Sequence, residues 1–460
     1  MTLNRKRTGA AVVGCLAGLS LVLTACGDDG DDGGAATGGD DEGNGDCADY
    51  EKYTETYGDL DGTTVTVYSS IVTPEDQPHI DSWVPFEECT GIDVVGEFSK
   101  EFEAQLIVRV QSGSAPDIAY MPQPGLLQTV VRDTDAVVPA PAGVEANVDE
   151  FFGEDWRGYG SVDGTLYAAP LGANVKSFVW YSPSAFSEAG YEVPETWDDM
   201  IALSDQIVAD GGKPWCAGIG SGDATGWPAT DWMEDVMLRE HGPDVYDQWY
   251  THEIPFNSPE VADVLERVGS ILKNEDYVNG GLGGVQSIAS TTFQDGGLPI
   301  IDGNCFMHRQ ASFYQANWPE GTTVAEDGDV FAFYFPTITE EFGRPLLGGA
   351  EFVAAFDDRP EVQAVQEFLS SPEWANEKAK VSGPGWLSAN TGLDISLLES
   401  PIDQLSAELF QDPEAVFRFD ASDLMPGEVG AGTFWTEMTN WIANDKDNQA
   451  VLDAIESSWP

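Results

Sequence analysis

Regular patterning begins at residue 63, where "TTVTVYSS" (Thr63 to Ser70) alternates apolar and polar side chains with the period of a strand. "HIDSWVPFEECTG" then reads as a helix stopped by Gly91, and "IDVVGEF" returns to strand spacing. Strand, helix and strand in succession predict a parallel α/β unit. "SKEFEAQLIVRVQSG" puts Phe102, Leu106 and Val110 on one helical face, with Ser99 as N-cap, Glu101 and Glu103 in the first turn and Gly113 as the stop. "APDIAYMP" is a further strand, and "LYAAPLGANVKSFVWYSP" reads as one long apolar strand. Thr196 opens the helix "TWDDMIALSDQIVADGG", and "KPWCAGI" is a strand. The helices "ATDWMEDVMLREHG" and "SPEVADVLERVGSILKN" follow, the second opened by Ser258 and Pro259. "DVFAFYFP" and "LLGGAEFVAAF" are strands before a helix-rich end, and no internal repeat is visible.

Ahead of residue 63 the pattern differs. Arg5, Lys6 and Arg7 precede an apolar run from Ala10 to Leu23, which falls short of the roughly 20 residues a membrane span needs. The "LTAC" that closes it resembles the lipobox of bacterial lipoproteins, which implies a signal peptide over 1–25 and lipid on Cys26. The alternative is an ordinary leader cut elsewhere, with Cys26 a disulfide partner. Gly and Asp dominate the segment after Cys26 and bury too little apolar surface to fold, so 26–60 reads as an acidic tether.

The 460 residues, 42% hydrophobic, suffice for a sizeable core and two or three domains. The formal charge is −60, from 80 acidic and 20 basic residues, and only nine of the acids lie between Asp28 and Asp49, so the excess covers the folded part. Such a surface repels phosphates and anionic head groups and argues against nucleic-acid binding. Even acidity with few lysines fits a salt-rich habitat or simply an acidic exported protein. Beyond Cys15 in the leader and Cys26, four cysteines remain. An even number in an exported chain reads as two disulfides with three possible pairings. Cys47 with Cys89 and Cys216 with Cys305 is the expected set, the first pinning the start of the folded part and the second joining two strand ends. No CxxC spacing supports zinc, and no metal or cofactor is expected.

Catalytic signatures are missing. The chain has no GxxxxGK[ST] loop, HExxH or GxSxG, and His79, His241, His252 and His308 stand far apart. "NGGLGG" (Asn279 to Gly284) reads as a loop and "EDGD" (Glu326 to Asp329) as a solvated turn. Carboxylates are so abundant that a glycosidase pair stays open at this stage. What stands out is Trp beside Asp, Asn or Thr in loops after strands: "GDATGWPATDW", "GPGWLSAN" and "ASDLMPGEVGAGTFWTEM". An indole face stacks on the CH face of a sugar while its hydroxyls need polar partners. Trp232 fits core packing; Trp227, between Gly226 and Pro228 at a helix start, fits a ligand contact.

With "FEAQLIVRVQSGSAPDIAYMPQPGLL", "VPETWDDM", "TGWPATDW" and "DGNCFMHRQASF", the chain from about Thr63 onward resembles extracellular family 1 solute-binding proteins of ATP-binding-cassette sugar importers. Within them it looks closest to the α-glucoside and maltose-type binders of actinobacteria. The resemblance implies an α/β fold of the periplasmic-binding-protein type II class, a two-lobe clamshell crossed three times, near 170–176, 335–337 and 383–388. Lobe 1 would comprise 61–173 and 338–382, and lobe 2 would comprise 174–337 and 383–460. It implies no catalysis, a monomer on the outer face of the membrane, an oligosaccharide ligand and permease subunits as partners. Carried over by position, the ligand would meet Lys100, Gln123, Asn174, Thr225, Trp227, Asp231, Gln310, Asp423 and Trp435, with Trp386 stacking on it or wedging the hinge. Asn174 stands where maltose-type binders often carry a carboxylate, a departure from maltodextrin binding. A polyol, another sugar, or a secreted glycoside hydrolase is the alternative.

The lipobox generates a direct test. Mature protein is expected in the membrane fraction, and Cys26→Ser is expected to release it or to block its processing; a variant anchored and processed like wild type removes the lipoprotein reading.

Overall fold

The computed structural model describes residues 47–279, 283–412 and 414–460. The expected leader, Cys26, the tether up to Asp46 and part of the glycine-rich loop (280–282) lie outside the described residues. Part of the tether expected up to residue 60 belongs to the folded part. Residues Glu51–Tyr57 form a helix, and Tyr53 is fully buried with its ring edge-on to Phe86 at 5.1 Å. Tyr50 and Tyr53 supply the apolar surface that Gly and Asp lack, and a Cys47–Cys89 disulfide ties this start to the helix Asp76–Thr90.

Thirteen strands are described: β1 (Thr64–Ser69), β2 (Asp93–Phe98), β3 (Ile118–Met121), β4 (Ser161–Val162), β5 (Thr165–Leu166), β6 (Ala168–Val175), β7 (Phe178–Tyr181), β8 (Trp215–Cys216), β9 (Val278–Asn279), β10 (Met307–Arg309), β11 (Phe331–Tyr334), β12 (Arg344–Ala355) and β13 (Ala415–Phe419). One sheet runs β13-β12-β3-β1-β2, with β6 also pairing β12; a second runs β11-β7-β10-β8-β9. As the strand–helix–strand pattern requires, β1 pairs β2 in parallel, Val65 opposite Val94. Helices cover both faces of the first sheet, around Trp83, Phe86 and Phe368 on one side and Phe102, Leu106 and Phe352 on the other.

The long apolar run read as one strand is in fact two. It breaks at Lys176 and Ser177, so that β6 stays in the first sheet and β7 enters the second. A charged side chain inside an otherwise apolar run is the physical reason, because both faces of that stretch are buried and its ammonium needs partners elsewhere. The return passes through Phe335, whose N–H donates to the Ser177 carbonyl at 2.9 Å, and the third passage is marked by Ala173 N–H donating to the Leu387 carbonyl at 2.7 Å. One assignment departs from expectation: β13, within 383–460, pairs in parallel with β12 of the first sheet, from Arg344 opposite Ala415 to Gly348 opposite Phe419. Its "AVFRF" run sits at the hinge end of β12, where a free edge would otherwise remain.

Behind the second sheet, Cys216 and Cys305 are disulfide-bonded at the ends of β8 and β10. His308 lies beside them, 2% exposed, its Nδ1–H donating to the Cys216 carbonyl at 3.0 Å and its Nε2 without a partner. Burial pushes this imidazole down from 6.5 to about 4, with Arg309 adding to the effect against the Cys216 hydrogen bond. The folded chain therefore prefers neutral His308, and the stability this gives is full above pH 6.5 and is lost as pH falls toward 4. The shift corresponds to about 3 kcal/mol. Urea denaturation at pH 7 and pH 4.5 is expected to show wild type losing more stability on acidification than His308→Gln, and equal losses would contradict the assignment.

Candidate functional site

The helix Trp227–Glu240 is the rigid element of the site. Gly226 opens it at φ 118°, and a Cβ there would meet the Trp435 carbonyl at 2.2 Å, so glycine alone fits. Pro228 suits the first turn, where its missing N–H costs no hydrogen bond. Asp231, Asp235 and Arg239 follow one another at intervals of four residues and share a face, with Glu234 beside them, and all four are fully buried.

Two cations reach that face. Lys176 Nζ donates to Asp231 Oδ1 at 3.0 Å and to Asp420 Oδ2. Arg309, from β10, donates to Asp231 Oδ2 at 3.3 Å and to Asp235 Oδ2 at 2.8 Å. Arg239 pairs with Asp235 and donates to the carbonyls of Phe335 (3.1 and 3.2 Å) and Pro345 (3.1 Å). Ser177 Oγ donates to Asp235 Oδ1 at 2.8 Å and accepts from Leu347 N–H at 2.9 Å. One helix face thus holds the first two passages between the sheets.

The charges balance. Lys176, Arg239 and Arg309 face Asp231, Asp235 and Asp420. Burial would lower the Lys176 ammonium, but Asp231 and Asp420 outweigh it and hold it well above its usual value. Burial likewise lifts Asp420, yet Lys176 keeps it below the usual carboxylate range. Asp231 is lifted by burial to about 6 against the pull of Lys176 and Arg309. Glu234 and Asp423 are pushed well above their ordinary values by burial and by Asp420. Asp231, Glu234 and Asp420 bring carboxylate oxygens within 4.8 Å of one another, as a metal site would, but the Lys176 ammonium already bridges two of them.

Beside this hub lies a cavity of about 170 Å³ between the sheets. Of the residues expected at the ligand, Lys100, Gln123, Asn174, Trp227, Asp423 and Trp435 line it. Trp227 packs edge-on to Phe293 at 5.0 Å and tilts against Phe313 at 6.1 Å, with Lys176 Nζ 5.3 Å from its ring centre. The Trp435 indole N–H donates to Ser422 Oγ at 3.2 Å. Gln123 donates to Glu103 Oε1 at 3.2 Å. Four buried acceptors have no partner: Glu103 Oε2, Gln123 Oε1, Asn174 Oδ1 and Gln294 Oε1. Burial pushes the Glu103 carboxyl up, which hydrogen bonding from Gln123 opposes.

The other four expected residues stand outside the cavity lining. Thr225 Oγ1 donates to the Gly222 carbonyl at 2.6 Å and accepts from Ser221 N–H at 3.0 Å, so it locks the turn. Asp231 is spent on Lys176 and Arg309. Gln310, 1% exposed, accepts from Ala311 N–H at 2.8 Å. Trp386 packs edge-on against Trp374 at 5.6 Å and lines a separate cavity behind the third passage. Sequence reading missed Glu103, Lys176, Phe293, Phe313, Glu351 and Asp420, all of which line the cavity. Only Lys176 carried a visible signal, as the one charge in the run from Leu171 to Tyr181.

Residues 68–379 match the sequence profile of the bacterial extracellular solute-binding proteins. Over 405 residues, 88% of this chain and 94% of the relative, the chain is 40% identical to the osmoprotective compounds-binding protein GgtB of Synechocystis sp.. Over 414 residues, 87% of this chain and 88% of the relative, it is 37% identical to the alpha-glucosides-binding periplasmic protein AglE of Rhizobium meliloti. Among solved structures, the solute receptor AcbH, described as having an exclusive preference for β-D-galactopyranose, superimposes with a TM-score of 0.72 at 20% identity, covering 86% of this chain and 98% of that one. That likeness shows a shared fold, the two-lobed type II binding-protein clamshell.

Proposed function

Because the chain belongs to the bacterial extracellular solute-binding proteins, a family of receptors and not of enzymes, we propose that it captures an α-glucoside or related small oligosaccharide and delivers it to an ATP-binding-cassette permease. The observation that carries this reading is the set of four unpartnered acceptors beside Trp227 and Trp435. Unpaired buried acceptors are costly, and a ligand rich in hydroxyl donors satisfies them while its CH faces lie on the indoles. Glu75, Glu103, Glu351, Asp420 and Asp423 against Lys100 and Lys176 make the lining predominantly acidic, which disfavours phosphorylated or uronic sugars.

A compatible solute of polyol type is the second reading, favoured by the small cavity and by the name of the Synechocystis relative. We further propose that the receptor works as a monomer held by lipid on Cys26. No helix among the described residues is long and apolar enough to cross a membrane, which is compatible with such an anchor.

Calorimetric titration with maltose, trehalose, sucrose, galactose and glycerol tests the proposal. A glucoside is expected to bind saturably, and Trp227→Ala, folded by circular dichroism, is expected to bind it on the order of thirtyfold more weakly, the cost of truncating a central aromatic of about 2 kcal/mol. No binding by any of these solutes overturns the reading; strongest binding by glycerol favours the second; unchanged affinity in the variant removes Trp227 from the site.

A further inference from the structure

Lys378 is an anomaly the solute site does not yet explain. It lies on the helix Pro372–Val381, is 2% exposed, and its Nζ donates to Ser382 Oγ at 2.6 Å. Among the described residues no carboxylate comes within ion-pairing distance of 4.0 Å of it. Burying an ammonium without a direct ion pair is costly, and lysine is among the residues least often buried.

Its surroundings are nonetheless acidic. Glu75, ahead of the helix Asp76–Thr90, Glu351 on β12 and Asp403 on the helix Pro401–Gln411 all act on it electrostatically, as the cation does on His79. The Trp386 ring lies 5.2 Å from its Nζ. Two of the three carboxylates, Glu75 and Glu351, also line the solute cavity. Glu351 falls at an irregularity in the pairing of β12 with β6, between Ala350 and Phe352. An extra residue at such a point is free to aim its side chain out of the ladder.

We propose that Lys378 is a positioning residue of the solute site: from behind the cavity wall it holds Glu75 and Glu351 as ionised acceptors for solute hydroxyls. The proposal rests on the reading of this cavity as the solute site. Burial drives Lys378 down to about 7 against the pull of Glu75, Glu351 and Asp403, while burial and Glu351 drive Glu75 up to about 7. Near neutrality each therefore responds to the charge of the other. Hydrogen bonds from a bound solute favour the ionised carboxylates, and these in turn favour the ammonium. Without the cation, Glu75 and Glu351 keep their protons to higher pH and offer the solute fewer acceptors. His79, which faces the same cation, is driven well below its usual value by burial and by Lys378.

Lys378→Met in the full chain tests this, because it removes the charge while keeping a side chain of similar length, and it removes the cost of burying that charge. Maltose, trehalose and sucrose are titrated into wild type between pH 6 and 9, and the tightest of them is carried to the variant. Thermal stability is expected to be unchanged or raised. Affinity at pH 7 is expected to fall at least about fivefold, with the pH midpoint of binding moving up by about one unit, the size of shift a nearby charge produces. In a Glu75→Gln/Glu351→Gln background that still binds the sugar, the substitution is expected to have no further effect; if that background no longer binds, the pH profile decides. A folded Lys378→Met variant with wild-type affinity and pH midpoint overturns the proposal alone. Failure of wild type to bind any of the three sugars removes the premise and the proposal with it.

Discussion

The structure turns on an ammonium between two carboxylates. Lys176 stands where the chain leaves one sheet for the other, and its Nζ bridges Asp231 of the helix Trp227–Glu240 and Asp420 at the end of β13. Remove that charge and Asp420 loses its cation while Asp231 keeps only Arg309, at the place where hinge, helix and cavity meet. Buried ion pairs often contribute little net stability, yet breaking one by deleting a single partner is costly, because the other charge stays buried and uncompensated. Here the pair has a clear geometric use. It fixes the register between the hinge and the helix that presents Trp227.

From that junction the rest follows outward. Arg239 and Ser177 satisfy backbone groups of the two neighbouring passages, adding side-chain anchors to the backbone hydrogen bonds that join them. Such an attachment can permit rotation of one lobe against the other while keeping the axis in place, the motion through which solutes are held in clamshell receptors. The cavity alongside is lined from both sides, by the unpartnered acceptors of Glu103, Gln123 and Asn174 on the first-sheet side and by Phe293, Gln294 and Phe313 on the second, so a solute held there meets both. Contacts made with both sides are what would favour a closed form.

Much of the fold was legible in the sequence because it rests on local patterns. The alternation at "TTVTVYSS", the capped helix at Thr196 and the Pro-opened helix at Pro259 each appear where periodicity puts them. The two disulfides also join the expected cysteines. The site was legible only in part. Trp227 and Trp435 are marked by loop context, and the family resemblance carried Lys100, Gln123 and Asn174. Asp231 was carried over by position as a ligand contact, whereas its partners, Lys176 and Arg309, lie 55 and 78 residues away in sequence. Phe293 and Phe313 were missed for the same reason, since nothing in their own segments says that they meet Trp227.

The hub is tested most directly by a double-mutant cycle in urea denaturation on Lys176→Met, Asp420→Asn and the double variant. The account predicts that each single substitution costs about 3–5 kcal/mol, and that the double variant costs clearly less than their sum, because it leaves neither charge stranded. Costs that add to within about 0.5 kcal/mol, the behaviour of independent sites, would contradict it.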